Sequence, residues 1–406
     1  MLFHQNRRQR RRQSAGRSCN AGILVCGLNE IVEIDVVVVG LGPAGASAAM
    51  AAAKNGSSVL ALERNASPGL PVQCAEFVPL LIAAGKGFEA VNEASVQNIE
   101  RMETYVEKSA ADITLDFRGQ MIDRAAFDCS LIKQAEANGA SCSFSSPVRQ
   151  VRKDGLVETG DGRLFRAKVI IGADGPRSPV AQSIGSSNVD LVETRQITVP
   201  LKSPHNATDI FLCADIPGGY GWLFPKDEVA NLGLGVVPAH KHLLKPILDD
   251  LHAKLVAEGR VGTEILAHTG GLIPVGGIQK STGMLGETPV MLVGDAAGLT
   301  NPVTGAGINS AVISGRMAGD AAFAWIEGDE EAARDYAEEV NDLFGPSIAR
   351  AVARRSQILS AYAGGEKPTA SELRSGWIAY PQYWSRDGLE LSTSAVTAAN
   401  DTRKSA

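Results

Sequence analysis

The chain has 406 residues, 44% of them hydrophobic and 21% charged, with a formal net charge of −6. This composition is that of a globular protein with a sizeable core and excludes a fibrous or low-complexity chain. Residues 1–30 hold six arginines and one acid, so they carry +5 and the remainder carries −11, and an acidic body argues against a nucleic-acid surface.

Six cysteines (Cys19, Cys26, Cys74, Cys129, Cys142 and Cys213) are scattered through the chain with no C-x-x-C spacing. They read as reduced thiols in a cytoplasmic protein, and they leave no iron–sulfur or other metal site. No apolar stretch approaches the roughly 18 residues of a membrane-spanning helix. The expected location is the cytoplasm, with or without peripheral contact at the inner face of the membrane.

Residues 1–30 read as a disordered basic extension, in preference to a signal peptide or a nucleic-acid-binding arm. Ile34 to Val39 is an apolar run broken only by Asp35, the pattern of a strand buried on both faces. Gly40, Gly42 and Gly45 follow at G-x-G-x-x-G spacing, and Pro43 and Ala44 open an Ala-rich helix to Ala53. A second strand spans Ser57 to Leu62, and Glu63 stands 18 residues after Gly45. The first glycine allows a tight turn, the second lets backbone approach a pyrophosphate, and the third lets helix pack on strand. The helix N-terminus offers free N–H groups to the anion, and Glu63 can accept from a ribose. Strand, glycines, helix, strand and acid in register predict dinucleotide binding.

A loop rich in proline follows, RNASPGLPVQCAEFVP, at the sheet edge where ligands of such folds bind. Cys74 within it is either a small buried residue or a neighbour of cofactor or substrate, and spacing does not choose. Ile99 to Val106 and Ile113 to Phe117 read as strands. Ile122 to Asn138 reads as a helix with Asp123 as N-cap and Gly139 as stop. Arg124 in its first turn is unfavourable for the helix dipole, which predicts pairing with a phosphate or an acid. Turn signals at Asp154-Gly155 and Asp161-Gly162 separate short strands. The buried strand from Lys168 then runs into a second sharp turn with Gly172, Asp174 and Gly175.

From about 185 to 285 short strands alternate with Gly and Pro, interrupted by one helix at about 240–258, which predicts an antiparallel sheet. Tyr220, Trp222 and Phe224 alternate and so share a strand face. In a chain with 5% aromatic residues they are either core packing or the wall of an apolar pocket. Pro289 to Val293 is again a buried strand; Asp295 ends it, and Gly305 and Gly307 open an Ala-rich helix to about Trp325. A further helix is expected over about 330–362, with Gly345-Pro346 as its bend point, and then a partly disordered tail.

The three glycine-bearing strand ends, in this order, resemble the FAD-binding fold shared by aromatic hydroxylases and geranylgeranyl reductases. The implied fold class is α/β: a Rossmann-like FAD-binding domain of the aromatic-hydroxylase and glutathione-reductase type, with an inserted antiparallel β-sheet substrate domain. The expected division is 31–185 and 286–330 for FAD, with 80–120 contributing to a substrate domain at 186–285. A C-terminal helix at 331–365 and a tail at 366–406 complete it.

Three stretches are similar to the geranylgeranyl reductase branch. GYGWLFPK matches that family's Y-x-W-x-F-P-K signature at Tyr220, Trp222, Phe224, Pro225 and Lys226. GDAAG carries Gly298 where aromatic hydroxylases carry His, and GAGINSAVISG is similar to the reductase helix. PVQCAEF resembles the P-x-x-C-x-E-G loop at Pro71, Cys74 and Glu76, with Phe77 in place of Gly.

The resemblance implies that Glu63 holds the adenosine ribose, Asp295 the ribitol, and the Gly305, Gly307 and Ile308 backbone the flavin ring. Arg64, Cys74, Ala75, Arg124, Val148 and Asp174 are further cofactor contacts. Tyr220, Trp222, Phe224 and Lys226 are expected at the substrate, with Cys74, Tyr220 and Trp222 as the catalytic candidates. The implied activity is FAD-dependent saturation of isoprenoid C=C bonds, in a geranylgeranyl-type lipid or a prenylated quinone. NADPH or reduced ferredoxin would be the electron donor. The alternatives are a flavin monooxygenase, an electron-transfer flavoprotein–quinone oxidoreductase lacking a cluster, or a flavin-dependent regulator.

Overall fold

The computed structural model describes residues 31–79 and 89–385. The basic extension at 1–30, residues 80–88 and the end of the tail lie outside them.

The apolar run forms the strand Ile31–Val39, whose Val36, Val37 and Val38 are fully buried. It is the centre of a mixed sheet. Its parallel neighbours are Val59–Leu62 on one side and Leu164–Gly172 on the other; Ser141–Ser143 and Thr288–Leu292 extend the sheet outward, also parallel. Thr282–Leu285 closes one edge antiparallel. The two Asp-Gly turns are hairpins, with Gly155 and Gly162 at positive φ, and they join Val148–Val151 and Leu156–Thr159 to the long strand.

The helices Pro43–Lys54 and Ile308–Ile326 cross against each other over this sheet. A side chain at Gly315 would place Cβ 2.1 Å from the Ala44 carbonyl oxygen, and one at Gly319 would place it 2.5 Å from that of Ala48. The small residues of both helices are thus what lets their backbones touch. The long helix Ala332–Ala363 packs outside, runs through Gly345-Pro346 as one element, and sends Tyr336 Oη to the Leu292 carbonyl at 2.6 Å.

A second sheet runs in the order Ala267–Thr269, Leu191–Pro200, Val229–Val236, Gly221–Lys226, Ala207–Leu212, Arg101–Val106, Asp112–Thr114. It is antiparallel except at one place: Ala207–Leu212 pairs parallel with Arg101–Val106. The expected strand over 99–106 is two. Ser95–Ile99 belongs to a separate three-stranded sheet with Phe77–Pro79 and Gly119–Ile122, and the chain changes sheets at Glu100. The strand expected at 113–117 shortens to Asp112–Thr114, because its alternation points Ile113 and Leu115 into solvent. The helix expected from 240 begins at Leu244, after a 3-10 segment, Pro238–Leu243, that buries no side chain.

The first part of the tail is structured. Residues 366–385 are ordered as two short helices, Ala370–Ser375 and Pro381–Trp384. Thr369 and Glu372 form a reciprocal capping box at the first. Arg354, 3% exposed, donates to the carbonyls of Gln382, Tyr383 and Ser385 and so ties the tail down.

Candidate functional site

The three glycine-bearing turns meet at the C-terminal edge of the parallel strands. Gly40 N donates to Leu62 O, Ala173 N to Val39 O and Val293 N to Gly172 O, at 2.8 to 3.0 Å, so the strand ends are stitched in sequence. Gly40 sits at φ +95°, and a Cβ there would lie 2.3 Å from the Ala173 carbonyl oxygen. A Cβ on Gly45 would fall 1.9 Å from Gly40 O. At Gly42 an added Cβ meets nothing within 4 Å. Two glycines are therefore needed by the fold, and the middle one faces open space at the N-terminus of the helix begun by Pro43 and Ala44. That is the cradle a pyrophosphate requires.

Glu63 borders this space. Its Oε2 accepts from Leu41 N and its Oε1 from Asn65 N, both at 2.9 Å, which fixes the carboxylate and leaves lone pairs for a ribose. Arg64 beside it is exposed. Asp174, behind Gly40, has Oδ2 on Val180 N at 3.2 Å, while its buried Oδ1 has no partner. Burial raises the Asp174 pKa, against the pull of Ser178 and Val180. Asp295 is likewise raised by burial; its Oδ1 accepts from Thr300 Oγ1 at 2.5 Å. Gly305 and Gly307 lie on the adjoining loop, which Asn301 organises by accepting the Val303 and Thr304 N–H groups on Oδ1 and the Gly305 N–H on its carbonyl. Ile308 opens the helix beyond. Val148 is half-buried and opens the strand Val148–Val151, packed against the core of the parallel sheet. An orphaned acceptor, an unfilled cradle and a fixed ribose acceptor together fit a dinucleotide.

Arg124 is paired as its position requires, and the partner is an acid. Its Nε and Nη2 meet Asp128 at 3.0 and 2.9 Å. Burial works against the charge, but Asp128 and the Cys74 sulfur outweigh it, so the guanidinium is held more firmly protonated than usual. Cys74 thus stands beside a cation. Its loop is held from below: Glu76, 5% exposed and at φ +68°, receives Lys226 Nζ at 2.9 and 2.8 Å, Asn231 Nδ2 at 3.0 Å and Arg124 N at 3.0 Å. Asn231 also donates to Ala75 O at 3.3 Å. Lys226 therefore fixes the Cys74 loop.

The aromatic strand Gly221–Lys226, with Tyr220 just before it, lies inside the second sheet, between Ala207–Leu212 and Val229–Val236. Tyr220 Oη donates to Thr304 O at 2.6 Å, which joins the strand to the glycine loop after Asp295. Trp222 Nε1 donates to Gln196 Oε1 at 2.9 Å, and Gln196 Nε2 donates in turn to Cys74 O at 3.2 Å. The rings form a ladder: Tyr220 to Trp222 at 5.8 Å, Trp222 to Phe224 at 6.4 Å, Phe224 to Phe77 at 5.8 Å. Phe77 thus fills an aromatic cluster with Phe117, and its ring covers Gly119.

Two clefts lie against this ladder. The first runs from Tyr220 and Trp222 to Val303 and Gly305; the second passes between Tyr220 and Trp377. Phe224 and Lys226 line neither, being turned to Phe77 and to Glu76. Gln196, Asn231, Asn301, Trp377 and Arg355 were invisible from spacing. The unmet Trp222 N–H was the one available signal, since a buried indole requires an acceptor. All four described cysteines (Cys74, Cys129, Cys142 and Cys213) are free.

Comparison with known proteins agrees with this geometry. A family model described as an FAD binding domain matches residues 33–219, and one described as a geranylgeranyl reductase catalytic domain matches residues 192–273. The digeranylgeranylglycerophospholipid reductase 1 of Methanopyrus kandleri is 33% identical over 318 residues, 74% of this chain and 84% of that one. A second reductase of that name from the same organism is 32% identical over 366 residues, 84% of this chain and 90% of its own. Among solved structures, a geranylgeranyl bacteriochlorophyll reductase-like protein from Thermoplasma acidophilum superposes with a TM-score of 0.75 at 24% identity, over 89% of this chain and 95% of that one. A probable FAD-dependent monooxygenase from Pseudomonas aeruginosa shares the fold at a TM-score of 0.62 and 18% identity, over 82% and 99% of the two chains. Cradle, aromatic signature strand and relatives agree: the chain is an FAD-binding oxidoreductase and belongs to the geranylgeranyl reductase family.

Proposed function

We propose that this enzyme saturates C=C bonds in the prenyl chains of an isoprenoid lipid. The observation that carries the reading is the cavity with Tyr220 and Trp222 on one side and Gly305 on the other, which joins the aromatic wall to the loop expected under the flavin ring. The relatives' names supply the substrate class. When bound and reduced, FAD supplies the hydride for such a reaction.

The chain's own residues do the rest. Gly40, Gly42, Pro43, Ala44 and Gly45 receive the pyrophosphate, Glu63 and Arg64 the adenosine side, and Asp174 and Asp295 the polar middle of the cofactor. Ala75, Arg124 and Val148 flank it, and Gly305, Gly307 and Ile308 support the ring. Trp222 and Tyr220 keep water from the alkene, each buried CH₂ of the chain contributing roughly 0.8 kcal/mol. Burial raises the Tyr220 pKa and Thr304 O holds its proton, so Tyr220 acts by position. Cys74, beside Arg124, is the remaining side-chain candidate to hand a proton to the second alkene carbon.

The division into a cofactor half (31–185 and 286–330) and a substrate half (186–285) belongs to the same proposal. So does an electron donor that is NADPH or reduced ferredoxin. Peripheral membrane contact is supported by exposed Ile113 and Leu115, whose neighbour Asp112 bonds Tyr380 of the tail at 2.7 Å. No helix among the described residues is long and apolar enough to cross a membrane.

The test is to photoreduce the FAD-loaded protein without oxygen and offer prenyl lipids and quinones. Reoxidation by a prenyl alkene, with the saturated product recovered, is expected. Reoxidation by quinone alone, or by oxygen with stoichiometric hydroxylation, would replace this reading with the quinone oxidoreductase or the monooxygenase.

A further inference from the structure

The two cavities beside the aromatic ladder share Gly218, Gly219, Tyr220, Val303 and Arg355 in their walls. Arg355 is the one charged side chain that lines either, and the rest of the lining is apolar or neutral. It projects from the long helix Ala332–Ala363 to the Gly218-Gly219 turn.

Its neighbour in sequence shows what a satisfied buried arginine looks like here. Arg354 meets three tail carbonyls and Gln357 Oε1. Arg355 makes one hydrogen bond among the described residues, from Nη1 to Gly218 O, and no carboxylate stands within ion-pair distance. Asp190 acts on it only from farther off. A guanidinium offers five N–H donors, so most of its capacity is unused by the protein. Burial pulls its pKa down to about 10, which still leaves it charged at neutrality. Arg355 is half-buried, so the apolar wall strips part of its hydration with no counter-charge to replace it, and an anion joining it would restore that loss. A planar fork matches the oxygens of a phosphate.

We infer that Arg355 binds the phosphate head of the isoprenoid substrate, whose chain then runs along Tyr220 and Trp222 toward Gly305. The inference rests on the reductase reading and deepens it, because it names the anchor that sets the chain's register. With the head fixed at Arg355, the double bonds nearest the head come first to the Gly305 end of the shared cavity.

Binding tests it separately from turnover. The FAD-loaded full chain is titrated with geranylgeranyl phosphate, with geranylgeraniol and with inorganic phosphate, following the fluorescence of Trp222 and Trp377. Arg355→Gln should weaken the prenyl phosphate by about 10-fold or more, the scale of a lost hydrogen bond to a charged group, and the alcohol by less than about 3-fold. Arg355→Lys should recover part of the loss. Unchanged flavin content and melting temperature show that each variant is folded. Equal losses for phosphate and alcohol, or none for the phosphate, overturn the anchor, as does inorganic phosphate binding as tightly as the prenyl phosphate. Head-selective binding without alkene reduction would sink the reductase reading and leave the anchor standing; reduction with unchanged affinities would do the reverse.

Discussion

The cofactor cradle and the substrate cavity are built from opposite materials. The cradle is backbone: Gly40 and Gly45 each stand where an added Cβ would fall within 2.5 Å of a carbonyl oxygen, and Gly42 leaves the helix N-terminus open. The cavity is side chain: Tyr220, Trp222, Trp377 and Arg355 come from the aromatic strand, the tail and the long helix, and they meet through hydrogen bonds and ring contacts. A backbone surface of this kind is fixed by the close packing of its own turns. A side-chain surface can change its lining while the strands behind it stay in place. A probable FAD-dependent monooxygenase shares this fold at 18% identity.

The comparison can be broken in order of expected effect. Gly45→Val should be the most damaging, since the crowded site has no room and overpacking costs about 1–3 kcal/mol per site, with more where backbone is the obstacle. Loss of soluble folded protein is the expected outcome. Gly42→Val should instead fold and lose FAD affinity by more than about 10-fold, or about 1.4 kcal/mol, read from flavin retained on desalting. If the Gly42 variant keeps its flavin, the open space there is not the phosphate site.

Lys226→Met strands the Glu76 carboxylate under the Cys74 loop and should cost about 3 kcal/mol in denaturant unfolding. Replacing both, as Glu76→Gln with Lys226→Met, should restore much of that. A double variant no better than the single one would show that the pair is not the support of the loop.

Arg354→Met removes the tie on the tail. Proteolysis after the long helix should speed up several-fold while global unfolding shifts little, because the opening is local. Equal protease resistance would show that the capping box and Trp377 hold the tail without it.

The smallest effect is expected at Asp35, on the solvated part of the strand that leads into the cradle. Lys168 and Ser58 hold the Asp35 pKa down to about 2, from an ordinary value of 3.8. A depressed carboxylate stabilises the fold above its unfolded pKa and loses that contribution as pH falls from about 4 toward 2. Since the group is largely solvated, Asp35→Asn should cost less than about 1 kcal/mol at pH 7 and flatten the acid limb of the stability curve over that window. An unchanged acid limb would exclude this pairing as a source of acid sensitivity.

The cradle was legible from residues 34–63 because every part of it is local: one strand, one turn and one helix in succession, each with a period or a glycine of its own. Arg124 was legible in part. The dipole argument demanded an acid or a phosphate, and Asp128 one turn along the same helix supplied it. The aromatic ladder was legible as a shared face but not as a pocket wall. Alternation fixes which side a ring takes, while Tyr220 finding Thr304 and Trp222 finding Gln196 depends on sheets that pair across 26 to 84 residues.

The amino-acid order by itself determined the cofactor half, because hydrophobic period, glycine spacing and acid placement act within a few turns of chain. Only the tertiary structure decided that the tail closes over the aromatic strand, that Lys226 turns away to Glu76, and that Arg355 is left alone in an apolar wall. Those outcomes rest on long-range packing and on which polar groups find partners when water is excluded. No local pattern encodes either of these.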